Sequence, residues 1–392
     1  MKFKKFTVLF RVLFMAAFCV LLQNNSVFPQ LKIKIDSPEV KELVDECRSS
    51  IRKEMEKTNT QGLSIAIVRH GEPLWVESFG STDNTGKKKV NNKTIFSIES
   101  LSKQIAVVAI LMAVQDGILD LDVPISKYLP GYKLKSKFDE NPQDKITLRH
   151  LLSHQAGFDH SLPGDTSKEA KERTLEQHAG KIAEAELIYP VGEQFSYSNI
   201  GFDLAGYILQ KVSGEPFEQY VARKVFRPLG MNNSFLISNQ IHKHENRAIG
   251  YQKDVQDLNE VPAFPSCGVY CDIEGMLKFV QFNVNEGKVN GKTILKKDIL
   301  DQMYKVPFDK SGKNEGYALG IGVAHRKYNG NIIPIYVHSG DGYGFSTDIF
   351  YAPEAGLGTV ILTNQNNFSM RWRGQLEEMI YKHLGERLEF IK

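Results

Sequence analysis

The ten residues Ile105-Ala-Val-Val-Ala-Ile-Leu-Met-Ala-Val114 carry no polar side chain. At helical spacing they are apolar on every face, and a helix of that kind has to be enclosed by protein on all sides. A chain of 392 residues is long enough to wrap other elements around it within one large domain. Lys103 stands two residues before the run, in the first turn of the same helix. A buried lysine is costly unless its charge is paired or used. Ser100 precedes Lys103 by three positions, and i,i+3 residues are neighbours on a helix, so the amine can reach the hydroxyl. The helix N-terminus adds N–H groups and a positive dipole that favour developing negative charge. A weak nucleophile, an adjacent amine and anion-friendly backbone make an acylation centre. S-x-x-K alone is weak, since a chain of this size holds roughly two by chance. The second one here, Ser50-Ile-Arg-Lys53, lies on a polar helix face where both side chains can point into water.

Periodicity supplies the elements that would enclose the central helix. Val40, Leu43, Val44, Cys47, Ile51 and Met55 fall at helical spacing and predict an amphipathic helix over 39–57. Leu63 to Val68 and Leu74 to Phe79, joined by His70-Gly71-Glu72, predict a β-hairpin. From about 100 to 285 the chain reads as helices broken by Pro and Gly loops. Strands return at Ala318 to Ala324, Ile332 to Val337, Phe345 to Tyr351 and Gly358 to Thr363. A last amphipathic helix carries Trp372, Leu376, Met379, Ile380 and Leu384. Strands at both ends of the chain and helices between them predict an α+β fold: one antiparallel sheet assembled from the two ends, flanked by helices, with a mostly helical insertion. The expected division is an export segment over residues 1–30 and one domain over 31–392. Its sheet part covers about 31–96 and 290–392, its helical part about 97–289. An active site belongs where the inserted helices meet the sheet.

The export segment is read from Lys2, Lys4, Lys5 and Arg11, followed by the apolar Val12 to Leu22 and the polar Gln23-Asn-Asn-Ser26. Eleven apolar residues are short of the roughly 20 that span a membrane. The expectation is an exported protein of the periplasm or cell envelope, with an uncleaved anchor as the alternative and membrane association confined to this segment. Cys19 follows the bulky Phe18, which argues against lipoprotein processing. The formal net charge is +3, and those four basic residues account for all of it, so the body of the chain presents no basic face and excludes nucleic acid as a partner. Cys47, Cys267 and Cys271 are an odd set that makes no disulfide framework; the last two either bridge each other or stay reduced. His242, His244 and Glu245 share a polar loop and read as solvated. His150 and His154 have the i,i+4 spacing of a zinc helix but lack the glutamate of H-E-x-x-H, so they read as packing and loop hydrogen-bonding residues. No metal or organic cofactor is expected.

Two further groups carry chemistry. Tyr197-Ser198-Asn199 ends a loop-like run from Pro190. A free tyrosine, with pKa about 10, is a poor base at neutral pH, but a neighbouring lysine cation favours its phenolate. An asparagine amide offers both a donor and an acceptor to a substrate. His338-Ser339-Gly340-Asp341 sits at the end of a late strand, where glycine admits close approach and strand N–H groups can hold a carbonyl oxygen.

S-x-x-K, then Y-x-N, then H-x-G on a late strand resembles the class C β-lactamase / DD-peptidase group of serine hydrolases. Y-x-N occurs once in the chain. Ile146-Thr-Leu-Arg-His-Leu-Leu-Ser-His-Gln-Ala-Gly157, Pro228-Leu-Gly-Met231, and Gly344-Phe-Ser346 before Pro353-Glu354 resemble the same group, so the likeness runs over roughly residues 61 to 385. It implies Ser100 as nucleophile, with Lys103 and Tyr197 sharing proton transfer. Asn199 would bind the substrate amide, and the N–H groups of Ser100 and Asp341 would form the oxyanion hole. His338 would take the place of the lysine in K-T-G, with Gly340 completing H-x-G. The implied activity is hydrolysis of an ester or amide in a small-molecule or peptide substrate, of the DD-peptidase or esterase type, with D-amino-acid or peptidoglycan compounds among the candidates. Unlike lysine, an unperturbed histidine is neutral near pH 7, and Asp341 adds negative charge; both weaken attraction for a substrate carboxylate and argue against strong β-lactamase activity. The same departures leave a rival reading, a binding or regulatory protein that keeps the fold without turnover.

Overall fold

The computed structural model describes residues 37–164, 173–236, 241, 244–252, 254–255, 265–366, 368–385 and 387–390. The expected export segment lies outside them, as does His242. Among the described residues no helix is long and apolar enough to cross a membrane.

Helix α1 (Pro38–Thr58) starts where Ser37 Oγ accepts the Val40 N–H at 3.3 Å, with Pro38 in its first turn, and stops at Asn59 in the left-handed region. Strands β1 (Gly62–Arg69) and β2 (Glu72–Gly80) follow. Their turn residues His70 and Gly71 have φ of 52° and 74°, the two left-handed positions of a tight hairpin turn. The helical region includes α2 (Ser102–Gln115), α3 (Leu175–Glu184), α4 (Asn199–Ser213) and α5 (Ile273–Val284). Strands β3 (Gly322–Tyr328), β4 (Asn331–Gly342), β5 (Phe345–Ala352) and β6 (Leu357–Thr363) precede the closing helix α6 (Ser369–Leu384).

The main sheet runs Gly316–Tyr317, β3, β4, β5, β6, β1, β2, with Glu389–Phe390 also pairing β3, and all these pairs are antiparallel. Its centre is the joint between the chain's two ends, Leu63 opposite Thr363 through Val68 opposite Gly358. Both strands of that joint are buried almost throughout, because the sheet is covered on two sides. One cover is α1 with α6, which encloses Leu43, Cys47, Ile51, Ile65, Trp75, Trp372 and Leu376. The other is α5, which lies so close that a side chain on Gly358 would overlap Val280. This is the α+β architecture expected, and the apolar stripes of α1 and α6 are the faces turned to the core.

Two local readings change. The first late strand lies at Gly322–Tyr328 rather than Ala318 to Ala324. The apolar Ala318, Leu319 and Ile321 are buried in a turn around Gly320, whose φ of 69° breaks any strand, and the polar His325-Arg-Lys327 that follow belong to the strand. Apolar character therefore marked burial there, and not extension. Ser100 also sits just before the helix, in a 3-10 turn over Glu99–Leu101, with Glu99 in the left-handed region at φ 48°. Helix α2 is buried continuously from Ser102 to Ala113, with α4 among the elements packed against it.

Candidate active site

Lys103 is wholly buried, and its Nζ lies 3.1 Å from Ser100 Oγ, 2.7 Å from Asn199 Oδ1 and 3.0 Å from the Ser266 carbonyl oxygen. Three acceptors match the three N–H bonds of an ammonium. The same set also suits the neutral amine: two N–H bonds stay on Asn199 and Ser266, and the lone pair then faces the Ser100 hydroxyl. The burial cost of the lysine is met by this arrangement. Ser100 itself is only half-buried.

Asn199 is the first residue of α4, whose cap is Ser198 Oγ accepting the Gly201 N–H at 3.3 Å. Tyr197 precedes the cap, and its ring centre lies 4.9 Å from Lys103 Nζ. His154 grips this tyrosine from both sides. Its carbonyl accepts the Ser196 N–H at 2.8 Å, its Nδ1 accepts the Ser198 N–H at 3.0 Å, and the two rings are 4.2 Å apart. Since a backbone N–H can only donate, Nδ1 carries no proton and the neutral ring is protonated on Nε2. Burial, with the Lys103 charge adding to it, holds the His154 pKa well below the usual range. His150 closes the capping box of the preceding short helix through Thr147. Both histidines therefore do the packing and loop work expected of them.

The third group lies on β4. The partner β3 stops at Gly322 opposite Val337, so His338 to Gly342 pair with β5 alone and leave the other edge open. The turn carrying Ser100 packs against this part of β4 and against β5. Gly340 makes this contact: a β-carbon there would sit 2.6 Å from Ile98 O and 2.9 Å from Glu99 Cβ. His338 is buried, with Nε2 2.9 Å from the Tyr317 hydroxyl. Burial first, and Lys103 second, push its pKa down to about 3, so the ring stays neutral at physiological pH. Asp341 is exposed. Glu99 is buried with Oε1 accepting the Ser97 hydroxyl at 2.8 Å; burial raises its pKa to about 8, against the lowering by Ser97, with the Asp341 charge raising it further. Next to the serine there is thus a carboxyl whose ionisation is disfavoured by burial, a histidine held neutral and one lysine.

The fold and this geometry can be set beside known proteins. A family model described as Beta-lactamase matches residues 48–379. The chain belongs to the beta-lactamase family. Among curated relatives of this family member, Protein flp of Staphylococcus aureus (strain NCTC 8325 / PS 47) is 28% identical over 328 residues, covering 81% of this chain and 62% of its own length. The chain therefore spans less than two thirds of that relative. A Beta-lactamase of Pseudomonas fluorescens is 25% identical over 357 residues, 84% of this chain and 94% of its own. In structure, the octameric penicillin-binding protein homologue from Pyrococcus abyssi aligns with TM-score 0.71 at 25% identity, covering 88% of this chain and 78% of that one. EstCE1, a hydrolase with promiscuous acyltransferase activity, aligns with TM-score 0.73 at 24% identity, covering 88% and 100%; it shares the fold.

In this beta-lactamase-family chain, the fold brings Ser100, Lys103, Tyr197, Asn199, His338, Gly340 and Asp341 to one place, where the inserted helices meet the open edge of β4. No side-chain pattern points to Ser266, because it contributes a backbone carbonyl. Tyr317 and Phe195 were also missed. Their rings lie 5.5 Å apart, and Phe195 is 53% exposed, so they extend an aromatic wall outward from Tyr197. Glu99 was legible only as the neighbour of the serine. Cys267 and Cys271 are both free thiols; burial raises Cys267 to about 12, and Cys271 is fully buried beside Ser234 Oγ at 3.0 Å. Among the described residues no group of three or more metal-ligating side chains occurs.

Proposed function

We propose that this beta-lactamase-family protein is a serine hydrolase that forms an acyl-enzyme on Ser100 and cleaves an ester or amide. The observation that carries this reading is the buried Lys103 amine, held by two oxygen acceptors with its remaining direction aimed at the Ser100 oxygen. Ser100 Oγ adds to the substrate carbonyl carbon, and its proton passes to the Lys103 amine, with the Tyr197 phenol beside it. The tetrahedral oxyanion would be held by the N–H groups of Ser100, in the turn before α2, and of Asp341, on β4. The C–X bond then breaks, the leaving group takes the proton, and water repeats the sequence on the Ser100 ester to release the acid. Asn199 orients the substrate amide.

The substrate follows from charge. The lysine is engaged by three acceptors, His338 is neutral, and Asp341 is negative and exposed, which disfavours a carboxylate at the β4 end. The proposed substrates are uncharged or cationic esters and amides of small molecules or peptides, with an apolar group against Phe195 and Tyr317. β-Lactams, which carry a carboxylate, should turn over slowly. Action outside the cytoplasm, after export through residues 1–30, belongs to the same proposal. The test is a panel of nitrophenyl esters, nitrocefin, D-Ala-D-Ala peptides and D-amino-acid amides on wild type and Ser100→Ala, with fluorophosphonate labelling. Ester turnover and labelling should both vanish in the variant. Equal labelling of the two proteins would end the proposal.

A further inference from the structure

Two of the three groups holding Lys103 are organised by one stripe of α4. Asn199, Asp203 and Gly206 are spaced i, i+4, i+7 and lie on one face of that helix. Asn199 Oδ1 meets the lysine directly at 2.7 Å. Asp203, buried one turn later, uses Oδ1 to accept the Ser266 N–H at 2.9 Å, while the carbonyl of the same Ser266 accepts from Lys103 Nζ at 3.0 Å. Gly206, one turn further, leaves room for the Pro265 ring, which any β-carbon there would overlap. The second carboxylate oxygen of Asp203 is 3.2 Å from Nε2 of His178, a buried residue of α3. The chain of contacts is continuous, and buried as far as Lys103: His178, Asp203, the Ser266 backbone, Lys103, Ser100. Asp203 touches neither Ser100 nor the space above it, and the proton transfers proposed above do not use it.

We infer that Asp203 is a positioning residue for Lys103, acting through the Ser266 backbone, with His178 and Gly206 holding it and its target in place. The inference rests on the serine-hydrolase reading. A neutral lysine amine free to rotate can aim its lone pair anywhere. Pinning one N–H on Asn199 and the other on Ser266 leaves the lone pair directed at Ser100. Asn199 is fixed by the helix that carries it, whereas Ser266 lies in a turn and has no such support of its own. The buried carboxylate supplies it by holding the Ser266 N–H, which fixes the direction of the flanking peptide groups. Loss of that hold lets the Ser266 carbonyl swing away, and the amine then turns from the hydroxyl without any change in the substrate's own contacts.

The experiment compares wild type, Asp203→Ala and Asp203→Asn on a nitrophenyl ester that wild type cleaves, with active sites counted by fluorophosphonate so that rates refer to reactive molecules. Asn keeps an oxygen that can accept the Ser266 N–H; Ala does not. The expected result is a fall in kcat per labelled site of about 10²-fold in Asp203→Ala, the scale for roughly 1 Å misplacement of a reacting group. KM should stay within about threefold, and Asp203→Asn should recover most of the loss. If Asp203→Ala does not fold, Gly206→Ala tests the same geometry without touching the carboxylate. Its methyl displaces Pro265 and should lower kcat per site with KM retained. Wild-type kcat per site in Asp203→Ala, or a defect equal in Asp203→Asn and Asp203→Ala, would overturn the inference. Where Asp203→Ala does not fold, wild-type kcat per site in Gly206→Ala does so. A failure of the hydrolase reading shows separately, as turnover or labelling that survives Ser100→Ala.

Discussion

Replacing Gly340 by alanine probes the seat of the nucleophile with a single methyl group. Gly340 lacks a left-handed backbone angle, so alanine brings no backbone strain and the whole effect is contact. The new carbon would lie 2.5 Å from Thr347 Oγ1, 2.6 Å from Ile98 O and 2.9 Å from Glu99 Cβ. Thr347 is anchored in β5 and bonded to Ile98 O at 2.9 Å, so the yielding partner is the turn that carries Ser100. Restoring an ordinary contact of about 3.4 Å to Ile98 O moves that turn by about 0.8 Å, close to the 1 Å misplacement that costs roughly 10²-fold. The expected loss is about 30- to 100-fold in kcat, or about 2 to 2.7 kcal/mol of barrier, together with an overpacking cost of about 1–3 kcal/mol in stability. The assay is ester turnover per fluorophosphonate-titrated site, with urea unfolding run in parallel. Gly374→Ala is the control: it lies in α6 with nothing within 4 Å of the added carbon. A Gly340→Ala enzyme that folds and keeps kcat within about threefold of wild type would refute the claim that this glycine sets the position of Ser100.

Two further outcomes test the energetics. Glu99 has a folded pKa raised to about 8, so between the ordinary carboxyl range and pH 8 the unfolded chain is ionised while the folded one stays protonated. Its contribution to stability is therefore present at low pH and is lost as pH rises, by about 1.4 kcal/mol per pH unit in that window. Glu99→Gln should remove this slope, so its stability relative to wild type grows from pH 5 to pH 8 in denaturant titrations; a constant difference would count against the buried acid. Trp372→Ala should cost about 3–5 kcal/mol, because the ring is fully buried between α6 and α1. A loss under 1 kcal/mol in urea unfolding would mean that this layer is not the core described.

The outline of the fold was legible because periodicity reports burial on one face. The α1 stripe from Val40 to Ile51 and the Trp372 stripe of α6 each have one buried face and one wet face, whereas the hairpin around Gly71, whose first strand is buried on both faces, was marked by its apolar runs and its turn residues. The reading slipped at Ala318 to Ile321, where apolar residues are buried in a turn and period alone cannot separate turn from strand. In the site, Ser100 and Lys103 stood out because a lysine beside a fully apolar helix conflicts with its surroundings. Ser266 could not stand out, since any residue has a carbonyl. Asp203 and His178 lie 25 positions apart and read as ordinary polar residues of helices until α3 and α4 are packed together. His154 was weighed as a metal ligand and set aside, yet its grip on Tyr197 arises from backbone atoms on both sides of that residue, which no side-chain spacing encodes.

The joint of β1 with β6 bears on how the molecule comes into being. The Gly62 N–H meets Asn364 Oδ1 across 302 positions, so β1 waits for that many further residues to be synthesised before β6 exists to pair with it. Closing a loop of that length carries an entropic penalty of about 5 kcal/mol, and topologies dominated by such distant pairings fold slowly. Until β6 arrives, the hairpin of β1 and β2 exposes an apolar strand edge to any other chain. A product shortened by the last few dozen residues would lose the middle of the sheet rather than a dispensable tail.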